Sequence, residues 1–405
     1  MKILQVNVNA MSGSTGKIVT DMHNTLIEKG HESLVCYGAN ETVERQGYYR
    51  VCSESERKFN AILSRLTGIN HGLFGFISTP RLLSIIRREK PDVVHLQCPN
   101  GYMVDVFRLL KFLGKNGIKT VVTNHAEYFY TGSCGHALDC NRWLTGCGHC
   151  DKYRTVMKSW HDNSAFSWQR MKAGFDAFDV SNIIVTSVSP WLMSRSKQSP
   201  FMSRFCHTVV MNGLDDGVFC PRNVSEKIRQ KMNGCRKIVL YASASFDTRG
   251  EGFKGGRYVL ELAKRMPEVQ FCIVAFYSTV TEELPSNVVF WGRANGQDEL
   301  AQLYNHADVT ILTSKKETFS MITAESLCCG TPVVGFRAGG PETIAIDEYS
   351  RFVGYDDIPA LEHELKTMLA RKVDRAEISC QARAKFNKRV MAENYIRIYN
   401  ALINK

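Results

Sequence analysis

The stretch Glu317-Thr-Phe-Ser-Met-Ile-Thr-Ala-Glu325-Ser-Leu-Cys-Cys-Gly-Thr-Pro-Val-Val-Gly335, continued by Phe-Arg-Ala-Gly339-Gly340-Pro-Glu342, decides how this chain is read. The apolar run Val309-Thr-Ile-Leu-Thr-Ser before it has the character of a buried parallel strand. Thr323 to Cys329 reads as a helix closed by Gly330, and Pro332 stops any continuation. Open α/β sheets bind ligands beyond the carboxyl ends of their strands, so Glu317 is expected in an edge loop and Glu325 on the first turns of the helix. Both carboxylates then face one crevice. An ionised carboxylate accepts two hydrogen bonds from a vicinal diol, and the N–H groups at a helix start suit a phosphate. Alone, Glu317 reads as a solvated loop charge and Glu325 as a capping residue; the strand, the spacing, Gly-Thr-Pro and Gly-Gly-x-Glu together point to a site.

Outward from this stretch, strand, loop and helix recur. Lys237 to Ser243 reads as a strand, Phe246 to Gly256 as a glycine-rich loop carrying Arg249 and Lys254, and Tyr258 to Arg265 as a helix. Gln270 to Phe276 and Val288 to Trp291 supply further strands, with a helix near Glu299 to His306. The chain opens in the same order: a strand from Lys2 to Asn9, the turn Met11-Ser-Gly13-Ser-Thr-Gly16-Lys17, and a helix from about Ile18 to Lys29. A P-loop is excluded, because Met11 and Ile18 stand where that motif needs Gly and Ser or Thr. His31 to Tyr37, Pro91 to Gln97 and Lys119 to His125 read as strands, with His125 at a carboxyl end, and Asn182 to Leu192 reads as a strand running into a helix. Thr155 to Phe178 and Ile378 to Lys405 read as helices.

The Glu-x7-Glu spacing with Cys-Gly-Thr-Pro-Val-Val resembles the donor-site signature of retaining glycosyltransferases of family 4. Asn212-Gly-Leu-Asp215 resembles that family's crossover turn. The resemblance covers nearly the whole chain, most specifically from Asn212 to Glu342, and a cysteine-rich insertion after His125 is similar to one in capsule and colanic-acid-type members. It implies the α/β GT-B fold, two Rossmann-like domains facing across a cleft, with a C-terminal helix crossing back. The expected bounds are 1–200 for an acceptor domain, 201–380 for a nucleotide-sugar domain and 381–405 for the returning helix. It also implies catalytic roles for His125, Lys254 and Glu317. Donor contacts would come from Gly16, Arg249, Lys254, Glu317, Phe319, Ser320, Met321 and Glu325. Many members carry Gly-Arg where this chain has Ala242-Ser243, which leaves Arg249 as the candidate second cation for the diphosphate.

At 405 residues the chain fits two domains, and 44% hydrophobic residues suit packed cores. The net charge of +11 calls for an anionic partner. Nothing resembles a groove-reading helix or an aromatic nucleic-acid platform, so nucleic acid is not expected. No apolar run reaches the length of a spanning helix and the first strand is no signal peptide, so a cytoplasmic protein is expected. The basic amphipathic stretch from Arg57 to Lys90 reads either as a peripheral contact with an anionic membrane or as helix packed on the sheet. Of 14 cysteines, ten lie scattered, as Cys36, Cys272 and Cys328 do. Cys134, Cys140, Cys147 and Cys150 cluster and suit a closed structural zinc site, with disulfides or free thiols as the other readings.

The expectation is a transferase moving sugar from a UDP- or GDP-sugar to a saccharide acceptor, lipid-linked, in cell-surface polysaccharide assembly. Lys254 and the helix start near Phe319 and Ser320 would stabilise the departing diphosphate without a catalytic metal. The alternatives are a GT-B phosphorylase or sugar-nucleotide epimerase, or an inactive sugar-nucleotide sensor.

Overall fold

The computed structural model describes residues 1–38, 42–70, 72–132, 134–232, 236–249 and 252–405. Gly250 and Glu251 of the glycine-rich loop, and Ser133 beside the cysteine cluster, lie outside the described residues. The chain forms two units, one of residues 1–211 with 391–405 and one of residues 212–390.

The first unit holds strands β1 (Lys2–Asn7), β2 (Glu32–Tyr37), β3 (Tyr48–Arg50), β4 (Val93–Cys98), β5 (Thr120–Asn124), β6 (Ile183–Ser187) and β7 (Cys206–Val209). They pair in parallel in the order β3-β2-β1-β4-β5-β6-β7. Parallel neighbours need crossovers, which α1 (Gly13–Glu28), α2 (Glu54–Thr67), α3 (Ser78–Glu89), α4 (Val106–Lys115), α5 (Ser164–Asp176) and α6 (Pro190–Lys197) provide. Both sheet faces are covered, so β5 and β6 are buried at every residue and read as unbroken apolar or Thr-rich runs. Three expectations shift. Helix α1 begins at Gly13 rather than about Ile18, with the extended Ser12 at the position before it. The stretch from Thr155 is not one helix; Asp162 accepts from the backbone N–H of Cys150 (2.6 Å) and Ser164 (3.0 Å), holding a loop until α5 starts. The unit runs to Met211 instead of 200 because β7 pairs with β6 from Ile184↔Cys206 to Ser187↔Val209.

The second unit opens with α7 (Glu226–Lys231) and β8 (Ile238–Asp247), followed by α8 (Gly256–Arg265), β9 (Gln270–Thr279), β10 (Val288–Gly292), α9 (Gly296–His306) and β11 (Val309–Leu312). It continues with α10 (Met321–Cys328), β12 (Val333–Phe336), α11 (Gly340–Ile344), β13 (Ser350–Val353), α12 (Ile358–Ala370) and α13 (Arg375–Lys385). Its parallel sheet has the order β10-β9-β8-β11-β12-β13, a doubly wound arrangement whose strand order reverses between β8 and β11. Strand β8 is longer than expected, pairing with β9 as far as Asp247↔Thr279, and this buries Phe246 in the core instead of the loop. The terminal stretch is two helices, not one from Ile378. It breaks at Phe386-Asn387, where Leu214 N–H donates to the Phe386 carbonyl (2.7 Å) and Lys388 N–H to that of Leu214 (3.1 Å). Helix α14 (Lys388–Ile403) then enters the first unit, and Met391, Tyr395, Tyr399 and Leu402 join the core of Ile3, Val93 and Val121.

Candidate active site

The loops after β8 and β11 flank the reversal point, the place where a doubly wound sheet opens a crevice. Lys254 comes from the first loop and Glu317 from the second, and the Lys254 ammonium lies 2.5 Å from Glu317 Oε1. The backbone holding Lys254 is fixed from both strands. Tyr241 OH donates to its carbonyl (3.0 Å), and Thr313 Oγ1 donates to the carbonyls of Lys254 (2.9 Å) and Gly255 (3.0 Å). Gly255 has φ +69°, and a Cβ there would stand 2.2 Å from the Thr313 carbonyl oxygen, so only glycine fits. Glu317 is pinned in turn: its N–H donates to the Ala338 carbonyl (2.9 Å), and its carbonyl accepts from Gly340 N–H (2.8 Å). The Gly-Gly-x-Glu motif serves this clamp. Glu342 accepts from the N–H groups of Ala338 (3.0 Å) and Gly339 (2.9 Å).

Helix α10 starts at a strained residue. Ser320 adopts φ +78° and its Oγ accepts from Thr323 N–H (3.2 Å), a non-glycine left-handed cap of the kind found at functional turns. Phe319 beside it is buried edge-on against Phe386. Met321, the first residue of α10, takes a contact from Asn212 Nδ2 to its sulfur at 3.8 Å. Glu325, one turn on, keeps 8% of its surface and accepts a hydrogen bond from Tyr304 OH at 3.0 Å. Burial, with the Glu325 carboxylate adding, holds the Tyr304 phenol well above its ordinary range, so it stays a donor. Tyr304, on α9, has no motif to announce it in the sequence. Arg249 is already engaged: Asp247 takes its Nη2 at 2.7 Å and its Nε at 3.1 Å.

In the first unit, His125 closes β5 and its Nε2 lies 2.7 Å from Gln97 Oε1 at the end of β4. An amide oxygen there calls for the proton on Nε2. Burial of the ring brings the His125 pKa down to about 4, so the imidazole is neutral near pH 7. Gln97 Nε2 reaches back to His95 Nδ1 (3.4 Å), which also meets Tyr399 OH (2.6 Å) on α14. Gln97 and Glu127 went unmarked in the sequence, although both stand two residues from a histidine of interest. Fully buried Glu127 binds Arg195 Nε (2.5 Å), Tyr130 OH (3.1 Å) and Ala137 N–H (2.6 Å), tying the segment after His125 to α6. Gly16 lies inside the first turns of α1, where a Cβ would stand 2.9 Å from the Met11 carbonyl carbon, which makes it a packing requirement of the turn.

Cys134, Cys140, Cys147 and Cys150 gather beyond Glu127, and all four are free thiols. Burial, then the neighbouring thiols, raises the Cys134 pKa, and burial, countered by the Gly132 N–H (3.2 Å to Sγ), pushes Cys147 up to about 12. Among the described residues no group of three or more His, Cys, Asp or Glu side chains is arranged to hold a metal ion.

Comparison with known proteins matches both halves. The model of Glycosyltransferase Family 4 matches residues 15–180, and that of Glycosyl transferases group 1 matches residues 254–385. The putative colanic acid biosynthesis glycosyl transferase WcaC of Escherichia coli is 23% identical over 423 residues, covering 99% of this chain and 100% of the relative. Among solved structures, a glycosyltransferase from Rickettsia africae aligns with a TM-score of 0.67 at 16% identity, covering 100% of this chain and 99% of that one. Anabaena HepE, solved in complex with UDP, aligns with a TM-score of 0.64 at 15% identity, covering 99% and 100%. These structures share the fold of two parallel-sheet Rossmann-like domains. Matched in both halves and wired alike in both sheets, the chain is a glycosyltransferase of the GT-B fold, joining a family 4 segment to a group 1 segment.

Proposed function

We propose that the enzyme transfers a sugar, with retention of anomeric configuration, from a UDP- or GDP-sugar to a saccharide acceptor carried on a lipid, in the assembly of a cell-surface polysaccharide. The observation that carries this reading is the Lys254–Glu317 pair at the strand-order reversal, with Glu325 on the adjoining helix. When a diphosphate arrives, the Lys254 ammonium exchanges Glu317 for phosphate oxygens, and Glu317 turns to the hydroxyls of the donor sugar. Glu325, presented by Tyr304, accepts from the ribose diol. The bond from the anomeric carbon to the phosphate oxygen breaks, the acceptor oxygen bonds to that carbon on the same face, and its proton passes to the leaving phosphate. Lys254 and the α10 start stabilise the negative charge that develops. His125, neutral and oriented by Gln97, suits a sugar hydroxyl better than a phosphate.

The UDP bound by HepE and the polysaccharide named for the Escherichia coli relative support donor and pathway type. The net charge of +11 supports peripheral work at an anionic membrane face. A panel of UDP-, GDP- and ADP-sugars tests the donor by thermal shift and hydrolysis, and NMR of the product gives the anomeric outcome. Stabilisation by no nucleotide sugar, or an inverted product, defeats the reading. Zinc at the four cysteines is a separate proposal, supported by their proximity. Elemental analysis of the purified protein decides it, and less than about one zinc per chain would remove it.

A further inference from the structure

Helix α2 is inside out. Its outer face carries Phe59, Ile62 and Leu66 at helical spacing, 53%, 56% and 40% exposed, while the face turned to the protein holds Asn60 and Ser64, each 2% exposed. The polar inner face is structural: Asn60 Nδ2 donates to the Tyr102 carbonyl (3.0 Å) and its Oδ1 accepts from Gly75 N–H (3.2 Å). The neighbouring α3 is conventional, burying Leu82, Leu83, Ile85 and Ile86. The apolar ridge of α2 therefore has no core to fill.

Both ends of the ridge are extended by other segments. At the N-terminal end Glu56 accepts from the N–H groups of Ile77 (3.2 Å) and Ser78 (2.9 Å), and Phe76 and Ile77 are 66% and 62% exposed. At the C-terminal end Trp160 N–H donates to the Arg65 carbonyl (2.8 Å) and its ring is exposed. There Arg65, Arg154 and Lys158, with Ser159 and Trp160, line a cavity of about 470 Å³. Among the described residues none of these three cations has a carboxylate partner. An exposed aliphatic and aromatic ridge beside cations that lack carboxylate partners among the described residues fits the boundary between acyl chains and anionic headgroups. No helix among the described residues is long and apolar enough to cross a membrane, so contact through this ridge is interfacial.

We propose that this face of the first unit docks on an anionic phospholipid surface, the ridge entering the acyl boundary and the Arg65, Arg154 and Lys158 cavity receiving a lipid phosphate. The proposal names the surface for the membrane work inferred above, yet it is read without any sugar, just as donor hydrolysis is read without any lipid. Either can therefore fail alone. The full-length protein is sedimented with vesicles of phosphatidylcholine alone and of phosphatidylcholine with phosphatidylglycerol, at low and high salt. The expected result is binding to the phosphatidylglycerol vesicles only, weakened by salt. Arg65→Gln and Lys158→Gln should each lower the partition constant about 5-fold, the loss of one basic residue at the surface. Ile62→Ser should lower it without altering donor hydrolysis. Trp160 emission should shift to the blue on binding, and Trp160→Phe should lose that shift. Absent or equal binding to the two vesicle types, or unchanged binding in all these variants, overturns the proposal. So does a dimer that Ile62→Ser dissociates in the absence of vesicles, which would assign the ridge to a second copy of the chain.

Discussion

The two sheets share one wiring for their first six strands, yet their carboxyl edges carry opposite chemistry. In the second unit the reversal point gathers an ammonium and a carboxylate in contact, with another carboxylate on the next helix. In the first unit the run from His125 through Gln97 to His95 and Tyr399 is uncharged and hydrogen-bonded, and the Glu127–Arg195 ion pair lies in the segment that follows. Burial keeps both histidines neutral, His95 down to about 3 and His125 to about 4. A fold can therefore repeat its scaffold and still divide labour: the charged edge suits a diphosphate and the neutral edge a hydroxyl-rich partner.

The sharpest way to break this division is Lys254→Ala. If leaving-group charge is met at the second edge, steady-state assays should show kcat reduced by about 10²–10³-fold, as when a charge-stabilising donor is lost elsewhere. Glu325→Ala should act on binding instead, raising the donor Kd by about 10–100-fold in calorimetry, since a hydrogen bond to a charged group contributes roughly 1.5–3 kcal/mol. Tyr304→Phe keeps the carboxylate and removes only its orienting donor, so the donor Kd should rise less than in Glu325→Ala.

The neutral edge is tested by pH. His125 and His95 have folded pKa values below the ordinary histidine value, so between about 4 and 6.5 the unfolded chain binds more protons than the folded one. Stability from these rings is complete above pH 6.5 and declines as pH falls toward 4; the melting temperature should drop over that window, less steeply in His125→Gln. The same neutrality means His125 adds no inflection near pH 6.5 to kcat/KM. Gln97→Glu should introduce one, because a carboxylate beside the ring raises its pKa.

Much of this was legible in the residues. Strand β11 stands where its apolar run begins and ends its four-residue core, and Gly330 follows α10 at φ +79°. The Glu317 and Lys254 assignments rested on spacing and resemblance, and the sheet order explains why loops more than sixty residues apart meet, since β8 and β11 are neighbours. What the sequence hid was set by tertiary context. Phe246 looked like loop because glycines follow it, yet pairing with β9 draws it into the core. Tyr304 and Gln97 act through partners distant in sequence, which no local pattern encodes. The stretch from Arg57 to Lys90 had one periodicity and two outcomes: α3 turns its apolar side inward and α2 turns it out, because Asn60 and Ser64 hold the inner positions.

The entry of α14 into the first unit sets the order in which the molecule can be made. Tyr395 and Tyr399 complete a core otherwise built from α1 and strands β1, β4, β5 and β6, with Tyr395 OH 3.1 Å from Thr123 Oγ1. The strands of the first unit and the helix that completes their core are thus separated by the whole second unit, so the first core closes only after residues 212–390 have been made. Loss of residues 391–405 would leave every strand of both sheets in place and take Met391, Tyr395, Tyr399 and Leu402 out of the first core.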